Sequence, residues 1–358
     1  MVLPVQARRV GENPPPSCSM LPAFFRRLAV VLATFSFAFS LPASAAGAKA
    51  GQWKGYVGID AMTGQTLVQE NADVLTPPAS MTKLMTFAVL YDKLQSGSIA
   101  LNTLVQVTAE DSRIGGTQVY LDPSESFTVE EMIYAMMIQS ANDCSYALAR
   151  TSAGSVEVFV QLMNAKAKEL GMTRTTFRSP HGLPPKSRKL ADGDLSTPRD
   201  FALLCRHLVL KTDVLKYTSA KQRDFGPLRA KGPQRMINHN KLMGKVDGVD
   251  GLKTGYTQSA GYCLSATALR NNRRVIVVIM GALGAEGKID LGASRDRKTI
   301  ELLASSFSAL PAGSPAFVGA PWAAPVSPLS PSAEPGAPGA APSADEPMVK
   351  FNFGPKKK

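Results

Sequence analysis

Apolar positions recur along this chain with two different periods, and the changes between them outline its architecture. Around a Thr63-Gly64 turn, residues 55–60 and 65–70 are short β-rich runs that predict a hairpin. The apolar run 84–94 predicts a helix, and 104–108 and 118–121 predict two more strands bracketing the loop 109–116. Helical spacing then holds for four segments. The first, 129–137, follows Thr128 and carries Glu130 and Glu131 in its opening turn; the second begins near Asn142. The third, 155–170, puts Val156, Phe159, Met163, Ala167 and Leu170 on one stripe and stops at Gly171; the fourth runs from the start signal Ser196-Thr197-Pro198 to Leu210.

Strand patterning returns at 250–255, 260–269 and 274–280, the last two joined by the polar turn Arg270-Asn271-Asn272, so they should pair antiparallel. A final helix spans 294–310. The order is strand pair, helical block, strand group and terminal helix. It predicts an α/β (α+β) fold in which an antiparallel sheet, its first strands beside its last, is flanked by helices and carries an inserted all-helical lobe. A cleft between that lobe and the sheet edge is the natural place for a site.

The two ends have a different character. Arg26 and Arg27 precede the apolar run 28–41, and Pro42-Ala43-Ser44-Ala45-Ala46 supplies the small residues of an export cleavage site, so residues 1–45 are expected to be a signal peptide cut after Ala45, with Met20 as an alternative start. The run is short for a membrane anchor, which is the competing reading. Export points to the periplasm. Pro, Ala, Gly and Ser dominate 311–347, so 311–358 is expected to be a disordered tail ending in a basic tip, Lys350 and Lys356 to Lys358. Residues 46–310 remain as one catalytic-sized domain.

Of 358 residues, 44% are hydrophobic, ample for one large core, and the formal charge is +12. That charge suits an acidic surface, an acidic polymer or nucleic acid, and the basic tip could touch an anionic surface, wall polymer or membrane; zinc-finger spacings and aromatic-interleaved basic stretches are missing, so nothing narrows the partner toward nucleic acid. Cys144, Cys205 and Cys263, with Cys18 ahead of the cleavage site, form neither a disulfide framework nor a metal-ligand set, and burial as small hydrophobes is expected. His181, His207 and His239 supply no metal set either, and no cofactor is expected.

Candidate chemistry sits in three short polar motifs. At Ser80-Met81-Thr82-Lys83, a serine and a lysine three residues apart at a helix start share one face, and a partly desolvated lysine can serve as base for a serine nucleophile. By composition such a pair arises about once by chance in a chain of this size, so it means little alone. Ser140-Ala141-Asn142 falls in a helix junction. Lys253-Thr254-Gly255 falls on a strand, where Lys and Gly share a side and Gly permits close backbone approach. The triple in this order, each in its own structural block, is specific where each motif alone is not.

These residues carry a resemblance. The chain resembles the low-molecular-mass penicillin-binding proteins of the D-alanyl-D-alanine carboxypeptidase family, through the three motifs and through Ile59-Asp60 with Thr63-Gly64, Pro78-Ala79, His181-Gly182-Leu183 and the text from Asp250-Gly251 to Thr257 with Ala260-Gly261-Tyr262. It implies a β-lactamase/DD-peptidase-like fold over about residues 46–310. It further implies that Ser80 attacks the penultimate D-alanine of a peptidoglycan stem peptide with Lys83 as base, that Ser140 passes a proton to the leaving amine, and that Asn142 holds the substrate amide. Lys253 would supply positive potential and help keep Lys83 neutral, Thr254 and Arg295 would meet the terminal carboxylate, and the N–H groups of Ser80 and Tyr256 would form an oxyanion hole. β-Lactams would be covalent inhibitors.

Two alternatives share the chemistry. The Pro-rich tail stands where relatives often append a β-rich domain and an amphipathic helix, an outline closer to members that cut cross-links as D,D-endopeptidases. A β-lactamase would need a deacylating carboxylate facing Ser80, and residues 173–200 contain no Glu. From another class, a non-catalytic wall-binding protein would have no need of two lysines and a serine in one desolvated pocket.

Overall fold

Residues 52–319 are described in a computed structural model of the chain. The expected signal peptide, with Met20 and Cys18, and the basic tip of the tail lie outside the described residues.

The chain opens with β1 (Gly55–Asp60) and β2 (Thr66–Glu70), then a 3-10 turn, Ala79–Thr82, that leads straight into α1 (Lys83–Gln95). The helical lobe follows: β3 (Leu104–Gln106) and β4 (Ser126–Thr128) as a small ribbon, then α2 (Val129–Tyr134), α3 (Asn142–Ala153), α4 (Val156–Glu169), α5 (Pro198–Lys211) and α6 (Val214–Thr218). A hairpin of β5 (Gln222–Phe225) and β6 (Gln234–Ile237) closes the lobe before β7 (Val249–Thr257), β8 (Gly261–Arg270), β9 (Arg273–Ala282) and α7 (Ala293–Ala309).

The main sheet runs β2-β1-β9-β8-β7 with every pair antiparallel, so β1 lies beside β9, the last strand, as the order of periods implied. Both faces are covered, which is why β8 and β9 read as nearly unbroken apolar runs. Alternate residues divide between two cores. Ile276, Val278 and Met280 join the core shared with α1, α3 and α5, whereas Val275, Val277 and Ile279 pack with Leu302 and Leu303 of α7. Helix starts are set by side chains that satisfy otherwise unpaired N–H groups: Thr128 accepts from Glu131 N, Ser155 from Val158 N, and Thr197 from Asp200 N with Pro198 in the first turn. Cys144, Cys205 and Cys263 are free and buried.

Four local features depart from expectation. Residues 118–121 form no strand, because their backbone groups are claimed by side chains. The Asp143 carboxylate accepts from Val119 N and Leu121 N, and Arg229 donates to the carbonyls of Val119 and Tyr120. The helix expected over 129–137 passes at Ala135–Gln139 into a π turn, which is where the chain reorients to deliver Ser140. The β5–β6 hairpin and α6 have no periodicity that marks them; β5 is Gln-Arg-Asp-Phe with only Phe225 buried.

Finally, the fold continues past Leu310. Arg273 donates to the carbonyls of Pro311 and Ala312, Phe317 N donates to Asn272 O, and the Phe317 ring lies 4.5 Å from the Arg274 guanidinium. An aromatic ring over a buried arginine gives this part of the tail a reason to stay, which composition alone did not show.

Candidate active site

Ser80 sits in the 3-10 turn ahead of α1, preceded by Ala79 in a left-handed conformation (φ 50) that a non-glycine residue adopts only where its surroundings enforce it. Lys83 is the first residue of α1 and is fully buried. Its Nζ lies 3.0 Å from Ser80 Oγ, 2.6 Å from Asn142 Oδ1 and 2.8 Å from the His181 carbonyl oxygen.

Those three partners limit what a neutral amine can do. Asn142 Oδ1 and the His181 carbonyl only accept, so they take two N–H bonds. A neutral amine has two N–H bonds and one lone pair, and the lone pair is left facing the Ser80 hydroxyl. The neutral state is favoured: burial pushes the Lys83 pKa well below its ordinary value, the Lys253 charge adds to that, and Asp143, Asp194 and Cys144 oppose it. Of the two causes the sequence suggests, desolvation is the larger and the Lys253 charge the smaller.

The second lysine closes the constellation. Lys253 on β7 is buried, donates to Ser140 Oγ at 3.0 Å and to Thr254 O at 3.1 Å, and has its pKa brought down to about 7 by burial and by Arg295. Ser140 presents that hydroxyl from a left-handed residue (φ 65, ψ 33) immediately after the π turn. Strand β7 comes close because residue 255 is glycine: a Cβ there would stand 2.6 Å from the Pro78 oxygen and 3.1 Å from Ser80 N. Tyr256 follows, half exposed at the cleft and stacked on Tyr262 with 4.2 Å between ring centroids.

Asn142 is tied down on both sides. It accepts from Lys83 through Oδ1 and donates through Nδ2 to Gly115 O at 2.8 Å, so it orients the base and anchors the loop that forms one wall of the site. Arg295 is buried with its Nε and Nη2 on Asp296, at 2.9 and 2.7 Å; its charge reaches Lys253. His239, considered in the sequence only as a metal ligand, faces the same cationic cluster. Burial, then Lys253, Lys83 and Arg295, hold its pKa down to about 4.

Sequence reasoning missed the backbone contribution of His181. Its carbonyl reaches Lys83 because Gly182 takes φ +81, and a Cβ there would lie 2.0 Å from the Ala79 oxygen. The motif His181-Gly182-Leu183 carried that signal, but a carbonyl acceptor leaves no side-chain signature. Asp194, a buried carboxylate further along the same loop, is spoken for: it accepts from Thr82 Oγ1, Ser179 Oγ and the N–H groups of Arg178 and Ser179.

The chain is similar to known proteins. The sequence model of the D-alanyl-D-alanine carboxypeptidase family, peptidase family S11, matches residues 43–284, and the chain belongs to that family. It is 38% identical over 231 residues to the D-alanyl-D-alanine carboxypeptidase DacF of Bacillus subtilis, covering 64% of this chain and 57% of that one. It is 36% identical over 236 residues to DacC of Escherichia coli, covering 64% and 56%. The chain thus spans a little over half the length of these relatives. Among solved structures, penicillin-binding protein D2 of Listeria monocytogenes in its ampicillin-bound form superposes with a TM-score of 0.60 at 30% identity, over 71% of this chain and 97% of that one. The D-alanyl-D-alanine carboxypeptidase of Mycobacterium tuberculosis does so with a TM-score of 0.64 at 27% identity, over 78% and 98%.

Proposed function

We propose that this chain is a serine-type D-alanyl-D-alanine carboxypeptidase that removes the terminal D-alanine of peptidoglycan stem peptides, and that β-lactams acylate the same serine. The carrying observation is the Lys83 amine, 3.0 Å from Ser80 Oγ with its other two bonds committed to acceptors. In the first step Lys83 takes the Ser80 hydroxyl proton as Oγ adds to the penultimate D-alanine carbonyl, with the N–H groups of Ser80 and Tyr256 stabilising the oxyanion. The C–N bond then breaks, Ser140 passing a proton to the departing amine, and an ester on Ser80 remains. Water hydrolyses that ester and restores the hydroxyl. The substrate carboxylate would sit on Thr254 within the positive field of Lys253, with Arg295 behind it.

The family membership, the relatives' names and the penicillin-binding neighbours support this reading. A β-lactamase is disfavoured, since the two buried carboxylates of residues 173–200 are engaged, Asp194 by four donors and Asp200 by Arg174 N and Thr175 Oγ1. Among the described residues no helix is long and apolar enough to cross a membrane. Periplasmic action, and contact of the basic tip with anionic wall polymer or a membrane surface, rest on the export signal and the charge of the tail. Incubation with a pentapeptide stem and, separately, with cross-linked muropeptide dimers tests the activity. Release of D-alanine from the pentapeptide is expected; cleavage of dimers alone would make the chain an endopeptidase.

A further inference from the structure

Tyr146 lies on α3, outside all three motifs, yet it touches both loops that hold the catalytic amine in place. Its ring stacks on the His181 imidazole, with centroids 6.5 Å apart and planes 20° apart, and its hydroxyl is hydrogen-bonded to Glu110 Oε1. The two loops matter for one reason. Residue 181 offers the carbonyl that accepts from Lys83, and the loop holding Glu110 offers the Gly115 carbonyl that accepts from Asn142, which in turn accepts from Lys83. One acceptor of Lys83, the His181 carbonyl, lies on a loop that Tyr146 touches directly, and the other, Asn142 on α3, is anchored to the second such loop through Gly115 O.

Other contacts steady parts of these loops. Arg150 pairs with Asp111, Thr86 donates to Pro180 O, and Leu183 N donates to His181 Nδ1. Among the hydrogen bonds, ion pairs and ring contacts of the described residues, Tyr146 is the one side chain that joins residue 181 to the 109–116 loop. The ring lies against the imidazole of the residue whose carbonyl accepts from the buried Lys83 amine.

We propose that Tyr146 is a positioning residue for the Ser80–Lys83 pair: by joining His181 to Glu110 it holds the His181 carbonyl on the Lys83 amine and keeps that amine dry. This inference rests on the acyl-transfer reading of the site. Removing the ring admits water to the amine, and that solvation favours the protonated form. The charged and titratable groups facing Lys83 stay in place, Lys253 on β7, Asp143 and Cys144 on α3 and Asp194 on the opposite loop, while His181 and Glu110 are the groups that lose a contact.

The test is the second-order rate of acylation of the full chain by a fluorescent penicillin across pH 5 to 10 for wild type, Tyr146→Ala, Tyr146→Leu and Tyr146→Phe. In Tyr146→Ala and Tyr146→Leu the acid limb should move to higher pH, lowering the rate near neutrality by about tenfold while the high-pH plateau largely recovers. Tyr146→Phe keeps the stack on His181 and should lie closer to wild type. Leu retains bulk, so a fold failure in the alanine variant leaves the question answerable, and melting temperatures identify such a failure. An acid limb that stays in place in a folded Leu or Ala variant overturns the proposal, whatever the overall rate. Failure of the wild-type protein to label at all would instead overturn the acyl-transfer reading.

Discussion

Asn142 Oδ1 stands 2.6 Å from the Lys83 amine, nearer than Ser80 Oγ at 3.0 Å. An amide oxygen there accepts a hydrogen bond without favouring the charged amine as a carboxylate would. Asn142→Asp keeps the shape and adds a negative charge, which stabilises the ammonium and raises the Lys83 pKa, by about one to three units for a close opposite charge. Acylation by penicillin at neutral pH should fall by at least about tenfold and recover toward alkaline pH. A pH–rate profile indistinguishable from wild type would show that Lys83 is not the base.

Ser80→Ala should lose all covalent labelling by a fluorescent penicillin and keep its melting temperature, since the hydroxyl is the acyl acceptor. Lys83→Arg should also fail to label, because a guanidinium cannot surrender its proton to become a base. Label found on Ser80→Ala by gel fluorescence would point to a different nucleophile.

Lys253, with its pKa near 7, should control carboxylate recognition. Below that pH the amine is charged; as pH rises through it the charge is lost, so KM for a D-Ala-D-Ala peptide with a free carboxylate should rise between about pH 7 and 9. A bound carboxylate favours the charged form, so the rise is expected to be displaced upward in the complex. The same peptide with an amidated C-terminus should show a flat KM over this range. Parallel behaviour of the two peptides would rule out Lys253 as the source of the dependence.

Gly255→Ala should separate the strand from the nucleophile, since its Cβ would meet the Pro78 oxygen at 2.6 Å and Ser80 N at 3.1 Å, both backbone atoms. Gly182→Ala should be worse, with 2.0 Å to the Ala79 oxygen and φ +81. Each is expected to cost more than about 2 kcal/mol of stability, measured by urea denaturation, and to slow acylation. Unchanged midpoints would mean that the close approach of β7 to Ser80 is absent in solution.

Truncation after Leu310 removes Phe317 from Arg274 and leaves Arg273 without its two carbonyl partners, whereas truncation after Gly319 leaves both contacts in place. The shorter protein should melt lower by about 2–4 °C for each kcal/mol lost, and the longer one should match the full chain. Calorimetry showing equal melting for both would return the domain boundary to Leu310.

Much of this protein is written locally. Periods of two and 3.6 residues placed the central strands and the long helices, and their order alone put the first strands beside the last, because an amphipathic segment carries its own burial pattern. The three motifs named the residues of the site: Lys83 is hydrogen-bonded to Ser80 and Asn142, and Lys253 to Ser140, with the Lys253 charge acting on Lys83. What sequence could not supply were features whose cause lies far along the chain. Residues 118–121 look like a strand until the Asp143 carboxylate and Arg229 take their backbone groups. Phe317 looks like tail until Arg274 lies beneath it. The His181 carbonyl and the Lys83 pKa belong to no residue type at all. A backbone oxygen is common to every position, and the amine's pKa falls chiefly because the folded chain removes its water, a property that exists once the walls of the cleft have closed around it.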